Sequence, residues 1–407
     1  MLKEEKVFRD PVHRYVHVQD QVIWDLIGTK EMQRLRRIRQ LGTSFYTFHG
    51  AEHSRFSHSL GVYEITRKII SQFERHHLAE WPQEERLLCL CAALLHDVGH
   101  GPFSHSIEAA LHMNHEDWTC RILTENTEVN QVLRKVSAEF PDKVAEVIQK
   151  KYPKSIVVSL ISSQLDADRM DYILRDAYHT GANYGTYDLE RIIRVLRPHK
   201  GHLVIKESGM HAVEAYLMSR YQMHWQVYFH PVTRSSEIIL TKIFQRAKAL
   251  YESGYQFSFL CSPMDYLIEG TVSVEQYMML DESFIQMTMM QWTLEKDHIL
   301  SDLCSRFLHR RLFKYTSMEQ IDESLIDAVR LKLSQCGYDP EYYMAVDFPS
   351  DLSYDVNRPG MLEKKIPIYL LTESDELVDI SEKSHIVRSI SGIHNGMHHL
   401  YFPEGII

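Results

Sequence analysis

The chain has 407 residues, 44% of them hydrophobic and 25% charged, which is enough to bury a sizeable core and too apolar for a disordered chain. Only 17 Gly and 13 Pro argue against collagen-like, linker-rich and many-hairpin β architectures. With 45 Lys+Arg against 55 Asp+Glu, the formal charge of −10 leaves no general nucleic-acid signal beyond a local basic patch.

In chain order, Val12, Val16 and Val18 around Pro11 predict an extended or hairpin segment, and the arginine-rich Arg34–Arg39 stretch follows as a helix. Leu60, Ile65, Ile69 and Phe73 recur at helical steps, the pattern of an amphipathic helix. Leu87 to Leu95 is apolar all round and predicts a buried helix, halted by Gly99, Gly101 and Pro102. It is also the longest clean apolar run, far short of the ~20 residues a membrane span needs. Ser155 to Tyr178 reads as one helical block, Ile192 to Lys206 as a short hairpin, and Met210 to Phe229 as one long helix ending before Pro231. Helical texture continues to about Gln335. Beyond it, Tyr342–Asp347, Ile366–Leu371 and Glu376–Ile380 read as short strands. The expected organisation is an N-terminal hairpin and basic helix over 1–45, a helical domain over 46–335 and a mixed α/β lobe over 336–407. The start has no signal-peptide core. Six unpatterned cysteines suggest buried thiols, and together these point to a reducing cytoplasm.

Histidine is the compositional outlier, with 24 unevenly spread residues. A single histidine is usually a hydrogen-bonded core residue. Three histidines and an aspartate within His96-Asp97-Val98-Gly99-His100-Gly101-Pro102-Phe103-Ser104-His105, on a glycine-broken turn, instead suggest ligands for a divalent metal. Upstream, His53-Ser54-Arg55-Phe56-Ser57-His58 sits at a helix N-terminus, where His58 can reach a metal and Arg55 a phosphate. Downstream, Asp168, Tyr172 and Asp176 are spaced i, i+4, i+8 and share a helix face, with Asp171 and Arg175 a structural ion pair beside them. The same arithmetic groups Arg220, His224 and Tyr228 as a stripe suited to a phosphorylated, ring-bearing ligand.

In this order, His58, then His96-Asp97, then Asp168 resembles the four-ligand site of the HD-domain phosphohydrolases. Around it stand Asp10-Pro11-Val12-His13, Gln33-Arg34-Leu35, Gln40-Leu41-Gly42, the run from His53 to Gly61, the run from His96 to His105, Asp168-Arg169-Met170-Asp171-Tyr172 and Arg175-Asp176. Together these resemble the deoxynucleoside triphosphate triphosphohydrolases of the SAM-and-HD-domain type, densely from Lys6 to about Tyr228. The resemblance implies a mostly α fold, an HD-domain helical core with short β-hairpins and a small mixed α/β C-terminal lobe. It implies His58, His96, Asp97 and Asp168 as ligands of one divalent ion, with Mg, Mn, Fe, Zn, Co and Ni all compatible. Arg55 and Arg169 would neutralise the triphosphate, Arg169 standing where eukaryotic relatives carry lysine. His105 and His115 would supply the leaving-group proton, polarised by Glu108 and Glu116, with Glu108 in place of a shorter aspartate and His100 as a further candidate. Gln40, Leu41, Tyr172 and Asp176 would face the sugar, and Arg220, His224 and Tyr228 the phosphates and sugar. Phe229 stands where relatives often have an amide.

The implied reaction cleaves deoxynucleoside triphosphates to deoxynucleoside and tripolyphosphate, in a homotetramer or larger even assembly. A guanine nucleotide would activate it at a second site of Lys6, Val7, Gln33, Arg36, Arg191 and Lys206, with Gly28 where relatives use an aspartate to read guanine. The alternatives are a nucleotidase, a cyclic-nucleotide phosphodiesterase or a nucleotide-sensing module.

Overall fold

The computed structural model describes residues 2–78, 80–103, 105–349, 354, 366–391 and 396–407, without the side chain of His105. Strands β1 (Lys6–Asp10) and β2 (Arg14–Val18) form an antiparallel hairpin in the register Lys6↔Val18 to Asp10↔Arg14. Asp10 Oδ1 closes the turn by accepting from the Val12 and His13 N–H groups, both at 2.9 Å. Helices α1 (Gln21–Gly28) and α2 (Lys30–Arg34) follow, and the basic stretch then tightens into a 3₁₀ turn at Leu35–Arg37.

The core is built on α3 (Arg55–Arg75) packed against α4 (Arg86–Leu95), and α5 (His105–Leu111) and α6 (His115–Thr124) follow in the chain. Leu88 to Leu95 are all buried, as an apolar run without a polar face requires. Where α4 ends, the turn from His96 to Gly101 is fastened from several sides. The Gly99 N–H donates to Thr119 Oγ1 (3.0 Å), and the Thr119 hydroxyl donates to the His96 carbonyl (3.2 Å). The Tyr277 hydroxyl donates to the Gly99 carbonyl (2.8 Å), and Arg34, buried in α2, donates to the His100 carbonyl (2.9 Å). A Cβ on Gly99 would stand 2.2 Å from the Thr119 nitrogen, so only glycine lets this turn lie against α6.

Helices α8 (Phe140–Ile148) and α9 (Ser155–Ile161) cover α4, with α7 (Glu128–Arg134) packed on α1 and α8, and they lead to α10 (Ala167–Thr180). The single helical block expected over Ser155–Tyr178 is therefore two. Asp166 interrupts it as an N-cap, its carboxylate accepting from the Arg169 N–H at 2.7 Å, and that turn starts α10 just ahead of Asp168. Helix α11 (Leu189–Val195) takes up the first part of the expected hairpin, which is β3 (Leu196–His199) and β4 (His202–Lys206) only. The long helix expected over Met210–Phe229 is α12 (Met210–Met223) followed by a π-helical turn at His224–Tyr228, before α13 (Pro231–Glu252). Short helices α14 to α17 (Met264–Glu269, Val274–Tyr277, Glu282–Trp292 and His298–Leu308) complete the helical body.

Two small sheets draw strands from both sides of residue 336. Strand β5 (Lys314–Met318) pairs with β9 (His398–Phe402), which also takes β6 (Ala345–Asp347). Strand β7 (Tyr369–Leu371) adds in parallel to β4 and carries β8 (Leu377–Asp379) on its other edge. The first of these sheets sits near the cavity described below, because Arg234 of α13 pairs with both carboxylate oxygens of Asp347 on β6, at 2.8 and 2.9 Å. Among the described residues, no helix is long and apolar enough to cross a membrane.

Candidate active site

Three elements bring His58, His96, Asp97 and Asp168 together. His58 lies on the first turn of α3, His96 and Asp97 follow α4, and Asp168 opens α10. His58, His96 and Asp97 each offer a ligand atom within 4.8 Å of the others. Asp168 Oδ1 stands 3.0 Å from His58 Nε2 and 3.6 Å from His96 Nε2. The backs of the rings are already engaged: His58 Nδ1 meets Asp171 Oδ2 at 2.8 Å, and His96 Nδ1 meets the Ala93 carbonyl at 2.9 Å. Both Nε2 atoms therefore face the carboxylates, and that of His96 is buried without a hydrogen bond. Two imidazole nitrogens and two carboxylates around an unsatisfied polar atom fit a divalent ion.

Behind this set lies a buried network that the residue spacing did not reveal. Asp171 binds His58 on one oxygen and His13 Nε2 on the other (2.5 Å), while Arg175 pairs with both Asp171 and Asp10. Asp171 and Arg175 are fully buried. The expected Asp171–Arg175 pair is present, but it also orients a metal-facing imidazole. Gly61, one turn beyond His58, makes room for it: a Cβ there would stand 1.8 Å from Asp171 Oδ1.

The charges in the centre are tightly coupled. Burial opposes protonation of His58, but its bonds to Asp168 and Asp171 outweigh that and raise it to about 10. His96 is also raised, the neighbouring Asp97 and Asp168 overcoming burial. Burial works to raise Asp97 and Asp168, yet the surrounding imidazoles, with Arg55 beside Asp97, hold both below the ordinary carboxylate range. His100 goes the other way, pushed down to about 3 by burial and by the Arg55 guanidinium. Without a bound cation the raised His58 keeps a proton at neutral pH, and an ion that takes its Nε2 must expel it. Binding of Mn²⁺ to the metal-free chain is expected to release about one proton or more per ion and to tighten as pH rises from 6 to 9. Calorimetry in buffers of different ionisation enthalpy measures this directly.

A cavity of about 500 Å³ opens beside the four residues. Arg55, Asp97, His100, His115 and Asp168 line its metal end, with Arg55 Nη1 donating to Asp97 Oδ2 at 2.5 Å. His100 and His115 stack at 3.8 Å, and Glu108 Oε2 meets His115 Nδ1 at 3.2 Å. The wall carries Gln40, Leu41, Tyr172, Asp176, His224 and Tyr228, where the Tyr228 hydroxyl donates to Asp176 Oδ2 at 2.9 Å. Burial, followed by the adjacent Asp176, raises the Tyr228 phenol well above its ordinary value, keeping it a donor. Phe103, Ser106, Phe229, Arg234 and Glu237 line the same cavity, and of these only Phe229 was singled out in the sequence.

Three expected site residues stand elsewhere. Arg169 and Arg220 line a second cavity of about 310 Å³ with Lys150, and Arg169 pairs with Asp166. Arg169 follows Asp168 by about 100° around α10, so it leaves the face that Asp168, Tyr172 and Asp176 share. Arg220 sits just ahead of the π-helical turn, and the stripe it was expected to form with His224 and Tyr228 divides between the two cavities. Glu116 Oε1 lies 3.8 Å from Lys150 Nζ, both side chains about half exposed, and Glu116 does not line the cavity. The His105 side chain lies outside the described residues.

Comparison with known proteins decides the family. Residues 55–176 match the HD domain and residues 187–400 the HD associated region. The chain belongs to the HD-domain phosphohydrolases. It is 58% identical to the uncharacterized protein YwfO of Bacillus subtilis (strain 168) over 100% of this chain and 94% of that one. It is 28% identical, over 60% of its length and 50% of the relative's, to the deoxynucleoside triphosphate triphosphohydrolase SAMHD1 homolog of Dictyostelium discoideum. A crystal structure of a phosphohydrolase from Bacteroides thetaiotaomicron superposes with a TM-score of 0.86 at 26% identity, covering 98% of this chain and 100% of that one. The HD domain spans His58, His96, Asp97 and Asp168 together with Arg55 and Asp176. The HD associated region supplies His224, Tyr228 and Arg234, so the cavity is built by both.

Proposed function

We propose that this HD-domain phosphohydrolase cleaves deoxynucleoside triphosphates to deoxynucleoside and tripolyphosphate. The observation that carries the reading is the cavity beyond the metal-facing residues. A phosphomonoesterase needs only the cationic end, whereas Tyr172, Asp176, Tyr228, Gln40 and Leu41 add a walled compartment with a fixed carboxylate and two phenols. The distant relationship to the deoxynucleoside triphosphate triphosphohydrolases supports it.

His58, His96, Asp97 and Asp168 would hold a divalent ion, which would supply Lewis acidity at the bound phosphate. The remaining steps belong to the chain. Arg55 presents its guanidinium to the α-phosphate from beside Asp97. Water adds its oxygen to the α-phosphorus, the bond from phosphorus to the 5′-oxygen breaks, and the departing oxygen takes a proton. His115, oriented by Glu108, is placed to give that proton, with His105 sharing the role. His100 is depressed to about 3, so it enters as a neutral ring that binds phosphate oxygen or supports His115 by stacking.

Leu41 and Tyr228 crowd the 2′ carbon, and Gln40 with Asp176 reads the 3′-hydroxyl. With Mn²⁺ present, dATP is expected to release deoxyadenosine with kcat/KM at least ~10-fold above that for adenosine release from ATP. Chromatography of the nucleoside product distinguishes the alternatives. Equal values for dATP and ATP contradict the assignment, and preferential turnover of dAMP or a cyclic nucleotide supports a nucleotidase or phosphodiesterase.

The second reading within this proposal is activation by a guanine nucleotide. Arg36 donates to Gln33 Oε1 at 2.8 Å and lies over the ring of Phe56, in the first turn of α3, at 3.7 Å. Val7 is half-exposed on β1 near Lys6, and Arg191 donates to the Ser208 carbonyl close to Lys206. Addition of dGTP is expected to stimulate turnover of other substrates in an assembly of several subunits, and Arg36→Ala to remove the stimulation with metal still bound. Initial-rate kinetics with and without dGTP, alongside light scattering for the assembly, check this.

A further inference from the structure

His53 stands just ahead of α3 and does not line the cavity, yet it joins two residues that do. Its carbonyl accepts from the Gln40 N–H at 2.9 Å. Its Nε2 lies 2.7 Å from Asp176 Oδ1, with both side chains buried. The ring is stacked on His179 at 4.4 Å and an interplanar angle of 12°, which fixes its plane. Nδ1 is buried with no hydrogen-bond partner. A proton on Nδ1 would be an unsatisfied buried donor, so the ring proton is assigned to Nε2, which donates to Asp176.

That assignment has a chemical consequence for whatever enters the cavity. Asp176 receives one donor on each oxygen, from His53 on Oδ1 and from the Tyr228 hydroxyl on Oδ2. Two donors, one on each oxygen, fix the carboxylate in one rotamer as an acceptor. A ligand group that meets Asp176 must therefore be a hydrogen-bond donor. An ester, ether or hydrogen at that position leaves a buried acceptor unmatched.

We infer that His53 is a positioning residue for sugar recognition. It holds the Asp176 carboxylate by its ring and the Gln40 backbone by its carbonyl, and so imposes the requirement for a free hydroxyl on the bound sugar. The inference rests on the triphosphohydrolase reading for the identity of the sugar, while the His53–Asp176 contact itself does not.

The test compares wild type with His53→Phe, which keeps a stacking ring and removes the donor, and with His53→Gln, which restores an N–H. In His53→Phe, kcat/KM for dATP is expected to fall ~10- to 100-fold, mostly through KM, as for loss of a bond to a charged group. Its preference for dATP over 2′,3′-dideoxy-ATP is expected to drop toward unity, and Mn²⁺ affinity to stay at the wild-type value. His53→Gln is expected to recover part of both losses, and the effect of His53→Phe to vanish when Asp176 is already asparagine. Retention of the wild-type dATP preference by His53→Phe overturns the inference. Independently of turnover, ¹⁵N spectra of the His53 ring are expected to show the Nε2–H tautomer and to shift in Asp176→Asn. A proton found on Nδ1, or a ring indifferent to Asp176→Asn, overturns it as well. If the wild-type chain releases no deoxynucleoside, the functional reading fails, and the ¹⁵N spectra still decide the role of His53.

Discussion

Replacing Asp168 by alanine is expected to abolish metal binding and to lower phosphohydrolase activity by at least ~10²-fold, since Lewis-acid stabilisation contributes several kcal/mol. The residue is the most accessible of the four, with its side chain 29% exposed against 10% or less for the others, so its removal leaves little packing defect. Its carboxylate also neutralises His58 and His96, both raised by their neighbours. Loss of Asp168 takes away one of those neighbours and leaves two imidazoles with a single facing carboxylate, Asp97. The fold is expected to survive, as checked by circular dichroism, while metal analysis after dialysis finds no stoichiometric ion. Full activity in metal-free Asp168→Ala protein would refute the assignment of the site.

A larger effect on stability is expected at Asp171, which touches no ligand. Its carboxylate meets His13, His58 and Arg175 in a fully buried cluster, and the Arg175 guanidinium holds it well below the usual carboxylate range against the pull of burial. Asp171→Ala leaves Arg175 with Asp10 alone and His58 with no partner at Nδ1. Removing one member of such a buried group costs about 3–5 kcal/mol, because the remaining charge is left poorly compensated. Asp171→Asn keeps the shape and part of the hydrogen bonding, so it separates packing from orientation. In that variant, a loss of ~10- to 100-fold in metal affinity is expected, the range found when an outer partner of a metal-facing histidine is removed. Thermal unfolding of metal-free protein and metal titration of the asparagine variant measure the two effects separately. The carboxylate also links stability to pH. Asp171 is depressed in the fold, so its contribution is complete above its ordinary value and is lost as the pH falls through its folded value.

Much of the architecture was legible from periodicity, because helices report themselves through neighbours three and four residues apart. The apolar run read from Leu87 to Leu95 is one helix, buried from Leu88 on with Leu87 only partly so, and it ends at the His96 turn. Likewise Asp168, Tyr172 and Asp176, sharing one helical face, all reach the same cavity. What the sequence determined by itself is therefore the local part: which residues of each segment point the same way, and that the HD pair sits on a fixed turn. The errors lie where backbone geometry departs from the regular helix. Asp166 caps α10 and splits a continuous helical pattern. The turn at His224–Tyr228 is π-helical, and Arg220 falls to a different cavity from His224.

The tertiary structure alone decided which segments meet. His13 and Asp171 are 158 residues apart in sequence, and His53 and Asp176 are 123 apart, so no spacing rule connects them. The same holds for Arg34, which reaches across 66 residues to the His100 carbonyl, and for Arg234 and Asp347, which tie α13 to the C-terminal sheet beside the cavity. Strand β4 could not announce that its parallel partner β7 lies beyond residue 336, since an edge strand of a hairpin offers the same unpaired groups to any neighbour. Metal-ligand residue types and helical faces are local properties of the chain. The orientation of His58 by Asp171 and of Asp176 by His53 depends on long-range packing, and only the folded core brings those side chains within hydrogen-bonding distance.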